Sequence, residues 1–411
     1  MKVSYGFLFR SKLHSFFKTV VKDVVFIYGY LIDSFIFATF NKNQDKNKVD
    51  LLVVKLDALG DLFLSIKSID RIISQKESAI IVVDASYADL FSHCEGVDIV
   101  LVNVKSYMFN PLYRYKKISY LCKFYCRESI NLNISRPHFV SDSIIRLIRS
   151  EKKVGFVSDN VNSSPRADFF YRREYDYLVN ADPKGHELEK LSNLLTYLGV
   201  GTGNVTGESI IQDIALEPRA IKGGYYAIAL GAGVRGRVWD YQNYILIINF
   251  LYSEYGLQCV LLGSESEVLV AKKIILRAKG KPIDMSGKSS LREYAGLIMN
   301  SMFVVSNESS AVHIAEYYEK LSFCICGGGH YGRFVPYPKE GKSQVIPLVH
   351  QMECYGCNWR CKYVSISKDV PPCISKVHPN DLISNMRNVF FHSPVNNLNT
   401  IKPAPLERYI K

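Results

Sequence analysis

The chain has few of the features that would carry it through a membrane or onto nucleic acid. Its N-terminal apolar stretch, residues 24–40, falls short of the roughly 20 residues that span a bilayer, and Asp33 interrupts it. No secretory pattern opens the sequence: Met1 to Arg10 is mixed, further charges follow, and no small-residue cleavage site appears. The ten cysteines lack the even spacing of a disulfide framework. A reduced cytoplasmic compartment is therefore expected. The first strand-to-helix turn, Asp57-Ala-Leu-Gly-Asp61, has no G-x-G-x-x-G, which counts against a Rossmann-type oxidoreductase. Basic residues are spread along the chain without a recognition motif, which counts against nucleic acid as a partner.

What is present describes a globular protein. At 411 residues two domains are expected, and 48% hydrophobic with 22% charged residues is a folded composition. The net charge of +12 suits anionic partners, either phosphorylated small molecules or an anionic membrane face.

Residues 1–48 interleave Lys2, Arg10, Lys12, Lys18 and Lys22 with Phe7, Phe9, Phe16, Phe17, Val20 and Val21. That pattern predicts a basic amphipathic helix lying in a membrane interface; a helical hairpin packed on the body is the competing reading. From Asp50 onward strand and helix signals alternate. Strands are expected at 51–56, 79–84, 98–103 and 153–157, and helices at 62–74, 87–93, 113–127, 142–150 and 187–198. A linker is expected over 204–224, where Pro218 and Gly223-Gly224 break the periodicity. A second series follows, with strands at 225–230, 258–262, 303–306 and 321–326. Its helices fall at 241–255, 267–278, 291–300 and 311–318. Alternation of this kind is α/β, with a parallel sheet in each half. The reading is two Rossmann-like doubly wound domains, 49–217 and 218–390, facing across a cleft, with a C-terminal tail at 391–411.

Three turns carry the chemistry. Leu51-Leu-Val-Val-Lys-Leu-Asp-Ala-Leu-Gly-Asp61 places Asp57 and Asp61 where ligands of open α/β sheets bind, beyond the carboxyl end of a strand. Gly231-Ala-Gly233 lets backbone approach a ligand closely, and Arg235 and Arg237 behind it can neutralise phosphate. Val304-Val-Ser-Asn-Glu-Ser-Ser-Ala-Val-His313 runs from strand through a polar turn into a helix. The free N–H groups of Ser309, Ser310 and Ala311 are thereby aimed at one anion site, with His313 in the first turn. Leu261-Leu-Gly-Ser-Glu265-Ser-Glu267 supplies acids for ribose hydroxyls or, for Glu265 more readily, a helix-start carboxylate.

Taken in this order, these blocks and Ser286-Gly-Lys-Ser-Ser-Leu-Arg-Glu293 resemble glycosyltransferase family 9, the heptosyltransferases of lipopolysaccharide core assembly, from about Leu51 to Ile374. The resemblance implies a GT-B fold and inverting, metal-independent transfer of a sugar from a nucleotide diphosphate. The expected donor is ADP-heptose or a similar nucleotide sugar, and the expected acceptor a lipopolysaccharide core or similar glycolipid. The implied setting is the cytoplasmic side of the bacterial inner membrane, in peripheral contact with its anionic face. Asp61 takes the place of the general base. Arg237 stands where the family has a phosphate-binding Lys, and Glu267 where it has a ribose-contacting acid. Gly231, Gly233, Ser309, Ser310, Ala311 and His313 complete the donor side, and Lys55, Asp57 and His186 are acceptor-side candidates. Where the family reads Asp-Ser-Gly or Asp-Thr-Gly, this chain reads Glu308-Ser309-Ser310. The longer acid and lost glycine favour the alternative of a different nucleotide sugar; a non-catalytic glycolipid-binding paralogue is the remaining alternative.

Cys354-x2-Cys357-x3-Cys361, with Cys373 further on, offers four thiolates for a structural zinc, against free thiols as the default for a cytosolic chain. No catalytic role follows from either.

Overall fold

The computed structural model describes residues 5–40, 47–91, 95–201, 209–211, 221, 224–338 and 343–392, with side chains of the first helix described over 20–39. The chain divides into two compact units. One comprises Met1–Ala58 and Ser65–Gln212, the other Leu59–Leu64 and Asp213–Lys411.

In the first unit, β1 (Asn47–Lys55), β2 (Ala79–Asp84), β3 (Val97–Val102), β4 (Phe124–Asn131), β5 (Arg149–Phe156) and β6 (Tyr177–Val179) form one sheet. Its order is β3-β2-β1-β4-β5-β6 and every pairing is parallel. Leu51, Leu52, Val53 and Val54 of β1 are wholly buried, as a central strand covered on both faces requires. The strand order reverses between β1 and β4, and that switch point is where open α/β sheets bind ligands.

The second unit repeats the plan. Strands β7 (Tyr225–Ala229), β8 (Gln258–Leu262), β9 (Ile283–Asp284), β10 (Val304–Asn307), β11 (Ser322–Ile325) and β12 (Val345–Leu348) lie in the order β12-β11-β10-β7-β8-β9, all parallel. Its switch point is between β7 and β10. Trp239, Tyr226, Tyr244, Phe303 and Phe323 anchor the core.

Two expected helices prove to be partly strand. Over 113–127 the helix Pro111–Leu121 stops at Cys122 and the chain enters β4, which fills the place beside β1. Phe124, Cys126 and Ile130 are buried there, so tertiary packing overrides the local helical pattern. Over 142–150 the helix Ser143–Leu147 yields to β5 in the same way. Ala85–Leu90 is a 3₁₀ segment where an α-helix was expected. Strands β6, β9 and β12 and the helices Pro165–Tyr171 and Pro379–His392 were not anticipated. The expected linker and C-terminal tail lie largely outside the described residues.

The N-terminal segment is one continuous 36-residue helix, Tyr5–Phe40, in place of a hairpin. Asp33, read as an interruption of the apolar stretch, is its anchor. Arg114 Nε and Nη2 donate to the two Asp33 carboxylate oxygens at 2.7 and 2.8 Å, with both residues buried. Lys22 Nζ donates to the carbonyls of Val161 and Ser163, and Phe26 packs on Phe170 and Tyr171. Among the described residues no helix is long and apolar enough to cross a membrane.

Candidate active site

At the first unit's switch point, short polar side chains hold the strand ends together. Asn133 Oδ1 accepts from Leu56 N–H at 2.8 Å, and its Nδ2 donates to Val54 O at 3.0 Å. Asn131 Nδ2 donates to Asp142 and to the Tyr175 hydroxyl, beneath a buried Arg136–Asp142 ion pair. The predicted residues Lys55 and Asp57 lie at the same end. Lys55 Nζ is buried, 3.0 Å from Asp57 Oδ2 and 3.2 Å from the Leu132 carbonyl. Burial raises the Asp57 carboxyl above its ordinary value, against the lowering effect of Lys55. Its second oxygen, Oδ1, is buried without a hydrogen-bond partner. Lys55 and Asp57 therefore form a structural ion pair with one open acceptor. His186 has a plainer place: it caps the helix Glu187–Tyr197, its Nδ1 accepting from Leu188 N–H at 3.1 Å.

The helix after β1 runs Leu59–Ile73, three residues earlier than the pattern suggested. Gly60 and Asp61 thus sit in its first turn, where the dipole favours a carboxylate in its charged form. This first stretch, Leu59–Leu64, belongs to the second unit. A Cβ on Gly60 would stand 2.7 Å from His313 Cδ2, closer than van der Waals contact allows, so any other residue here would displace the His313 ring or the turn. Phe63 meets Tyr317 edge to face, with ring centroids 5.6 Å apart.

At the second unit's switch point the same device recurs. Asn307 Oδ1 accepts from Trp239 N–H and the Tyr244 hydroxyl, and its Nδ2 donates to Leu230 O. Sequence reasoning passed over Asn131, Asn133 and Asn307; an Asn closing or following a buried strand was the available signal. Beyond β10, Glu308 is 4% exposed and the helix Ser310–Tyr317 begins at once, with Ser309 as its N-cap residue. Ser309 makes no side-chain cap bond to the helix; its Oγ pairs with Ser306 Oγ at 3.1 Å. The amide groups at the helix start thus receive no cap from the Ser309 side chain. Ala311 is fully buried, and His313 Nδ1 meets the Tyr337 hydroxyl at 2.6 Å.

Burial pushes the Glu308 carboxyl up to about 7, although Arg237 opposes the shift. Glu308 Oε2 accepts from the Cys326 thiol at 3.6 Å, and Oε1 is buried without a partner. Arg237 answers the charges around it: burial lowers its pKa, while Glu308 and then Asp61 raise it. Its Nη2 is 3.3 Å from His330 Nδ1, and Nε is buried without a partner. Gly233 takes a φ of +68°, and Gly231 lies against the Glu267 carboxylate. Glu267 closes a capping box with Ser264, accepting from its N–H at 2.8 Å, and Glu265 lies in the same first turn as a helix-start acid.

The cysteine-rich segment supports the arginine. The Arg237 guanidinium lies over the Trp359 ring, 4.6 Å from its centroid, and Gly236 N–H donates to Ile366 O at 2.7 Å. His330 Nε2 bonds Asn358 Oδ1 at 2.7 Å. Asn358 and Trp359 both have left-handed backbone, φ +48° and +56°, a conformation costing roughly 1–3 kcal/mol per residue. Cys354, Cys357, Cys361 and Cys373 line one small cavity with Trp359 and Tyr363, and all are free thiols. Burial raises the Cys357 and Cys373 thiols, keeping them protonated. Among the described residues no group of three or more His, Cys, Asp or Glu side chains is arranged to hold a metal ion.

The model of glycosyltransferase family 9 (heptosyltransferase) matches residues 135–357, more than half of the chain. No curated protein matches the sequence. Among solved structures, the glycosyl transferase family 9 protein of Veillonella parvula superposes with a TM-score of 0.66 at 16% identity, covering 86% of this chain and 99% of its own. The Escherichia coli heptosyltransferase WaaC, solved with ADP-2-deoxy-2-fluoro heptose, gives 0.59 at 16% identity, with 83% of this chain and 99% of its own covered. The E. coli ADP-heptose lps heptosyltransferase II gives 0.60 at 13% identity, with 83% and 98% covered. At these identities the superpositions speak for the fold, which is that of the heptosyltransferases. With two six-stranded parallel sheets of the same order and a family model matched over more than half of the chain, from the first unit into the second, the chain belongs to glycosyltransferase family 9 and is a glycosyltransferase.

Proposed function

We propose that the protein transfers a heptose, or a related sugar, from an ADP-type nucleotide sugar to a lipopolysaccharide core or similar glycolipid, with inversion at the anomeric carbon. One observation carries this reading. The second unit gathers a helix-start carboxylate (Asp61), a half-buried arginine with an unpartnered Nε (Arg237) and the start of the helix Ser310–Tyr317, whose N-cap side chain makes no cap bond. Relatives solved with ADP and with an ADP-heptose analogue support the choice of donor.

The residues divide the work as follows. The helix amides and Arg237 hold the donor diphosphate, and Glu267 accepts from the ribose hydroxyls. Asp61 removes the proton from the acceptor hydroxyl as its oxygen attacks the anomeric carbon. The new carbon–oxygen bond forms while the bond from that carbon to the diphosphate breaks, and the nucleoside diphosphate leaves with the electron pair. Arg237 and the amides offset the charge that gathers on the leaving group. Lys55 and Asp57 support the acceptor side. The test is turnover of ADP-heptose by purified protein with a lipopolysaccharide-core acceptor, read as release of ADP. No release with any acceptor of that class would remove the heptosyl reading.

Glu308 favours a second reading, transfer of a different sugar. A buried acid with pKa about 7 and an open oxygen can donate as well as accept a hydrogen bond, a different demand on the sugar from that of a fully ionised Asp. Thermal-shift screening with a panel of nucleotide sugars separates the two.

A further inference from the structure

The outward face of the N-terminal helix is apolar, and the fold keeps it outward. Val20, Val24, Ile27 with its neighbour Tyr28, Leu31 and Phe35 recur every three or four residues, so they form one stripe. Leu31 is 63% and Phe35 70% exposed. The helix cannot roll to hide this stripe. Its opposite side is locked by the buried Asp33–Arg114 pair, by Lys22 on the 161–163 carbonyls, and by Phe26. Of the cations that the sequence pattern placed on the helix's own polar side, Lys22 faces the protein.

Exposed cations lie on the neighbouring elements. Two flanking elements pack against the helix, Pro111–Leu121 and Pro165–Tyr171. The first flank, with the preceding helix Val104–Phe109, exposes Phe109 and Leu112 at 68% and 75%. Residues 99–127 contain Lys105, Arg114, Lys116, Lys117, Lys123 and Arg127 and no acid at all. Lys105 and Lys116 are exposed. On the other flank, Phe169 and Phe170 are exposed beside the exposed Arg166, Arg172 and Arg173.

We propose that this face seats in the interfacial layer of an anionic bilayer. The helix lies flat, its stripe reaching about 5–10 Å into the headgroup and acyl boundary, while the cationic flanks meet lipid phosphates. A second copy is the poorer occupant, because a twofold pairing through the stripe sets like-charged flanks against each other. The proposal rests on the reading above only for its purpose, bringing the enzyme to a lipid-anchored acceptor.

The test is co-sedimentation of the full-length protein with phosphatidylcholine vesicles, with and without phosphatidylglycerol. The expected result is binding that depends on phosphatidylglycerol and weakens with salt. Leu31→Glu/Phe35→Glu should bind at least tenfold more weakly, and Leu112→Glu, on a different helix, should lose affinity in the same sense. Lys105→Glu/Lys116→Glu should lose the phosphatidylglycerol-dependent part alone. Unchanged melting curves and an unchanged thermal shift with ADP show that the variants are folded and the nucleotide site intact, so failure here is distinguishable from failure of the glycosyl-transfer reading. The proposal is overturned if the wild type ignores phosphatidylglycerol vesicles or if the Leu31/Phe35 variant binds like wild type. It is equally overturned if light scattering finds a wild-type dimer that this variant splits, since the stripe then belongs to a second copy.

Discussion

Gly60 carries a hydrogen where any other residue has a carbon, and His313 Cδ2 stands 2.7 Å from where that carbon would be. Gly60→Ala should therefore displace the turn bearing Asp61 and lower kcat by at least tenfold with little change in melting temperature, a split that steady-state kinetics and calorimetry can read. Arg237 depends on the Trp359 ring beneath it. Trp359→Ala should raise the donor KM several-fold, Trp359→Phe should restore much of the loss, and Arg237→Ala should exceed both. Glu308 adds a pH signature. Its folded pKa, about 7, is above the ordinary 4.5, so between those values the folded protein holds a proton that the unfolded chain has released. Its contribution to stability is thus fully present below that window and is lost as pH rises towards 7. Melting temperature measured from pH 5 to 8 should fall more in wild type than in Glu308→Gln; parallel curves would contradict the assignment. That Asp61, Arg237 and the 308–313 turn follow the ends of strands was legible in the sequence, because a strand-to-helix turn announces itself by composition. The partners that tune them were not: Trp359, His330, Cys326 and Tyr337 reach the site from far along the chain, and no local pattern records that approach.

Among the elements, the N-terminal helix separates what pattern can and cannot tell. Its existence and apolar stripe follow from spacing; its docking follows from one ion pair with a residue 81 positions away. Both members are buried, so removing one leaves the other as an uncompensated charge. Asp33→Ala should cost about 3–5 kcal/mol in a urea melt if the helix melts with the body. If the helix detaches alone, the same change appears as protease cleavage near residue 33 in a still-folded protein. Strand β4 gives the complementary lesson. Phe124-Tyr-Cys-Arg-Glu-Ser-Ile-Asn131 has no clean alternation, and it becomes a strand because β1 has an unfilled hydrogen-bonding edge at that side. The short edge strands β6, β9 and β12 carry too few residues to show any period.

At the scale of the whole molecule, two sheets of the same order arise from halves with no obvious repeat in sequence, and in each an asparagine ties the strand ends at the switch point. The α/β class and the place of each strand-to-helix turn at the switch points could be read from alternation alone, since parallel sheets bury their strands as continuous apolar runs. The net charge of +12 was legible as a preference for anions; its distribution beside the exposed stripe was not, because that depends on which helices become neighbours. The central claim is that Asp61 is the base in a sugar transfer. It is tested most directly by kcat for donor-dependent glycosylation in Asp61→Asn, with donor affinity measured in parallel. The account predicts a fall of roughly 10²–10⁴-fold in kcat with donor affinity nearly unchanged. A variant that turns over at the wild-type rate would contradict it.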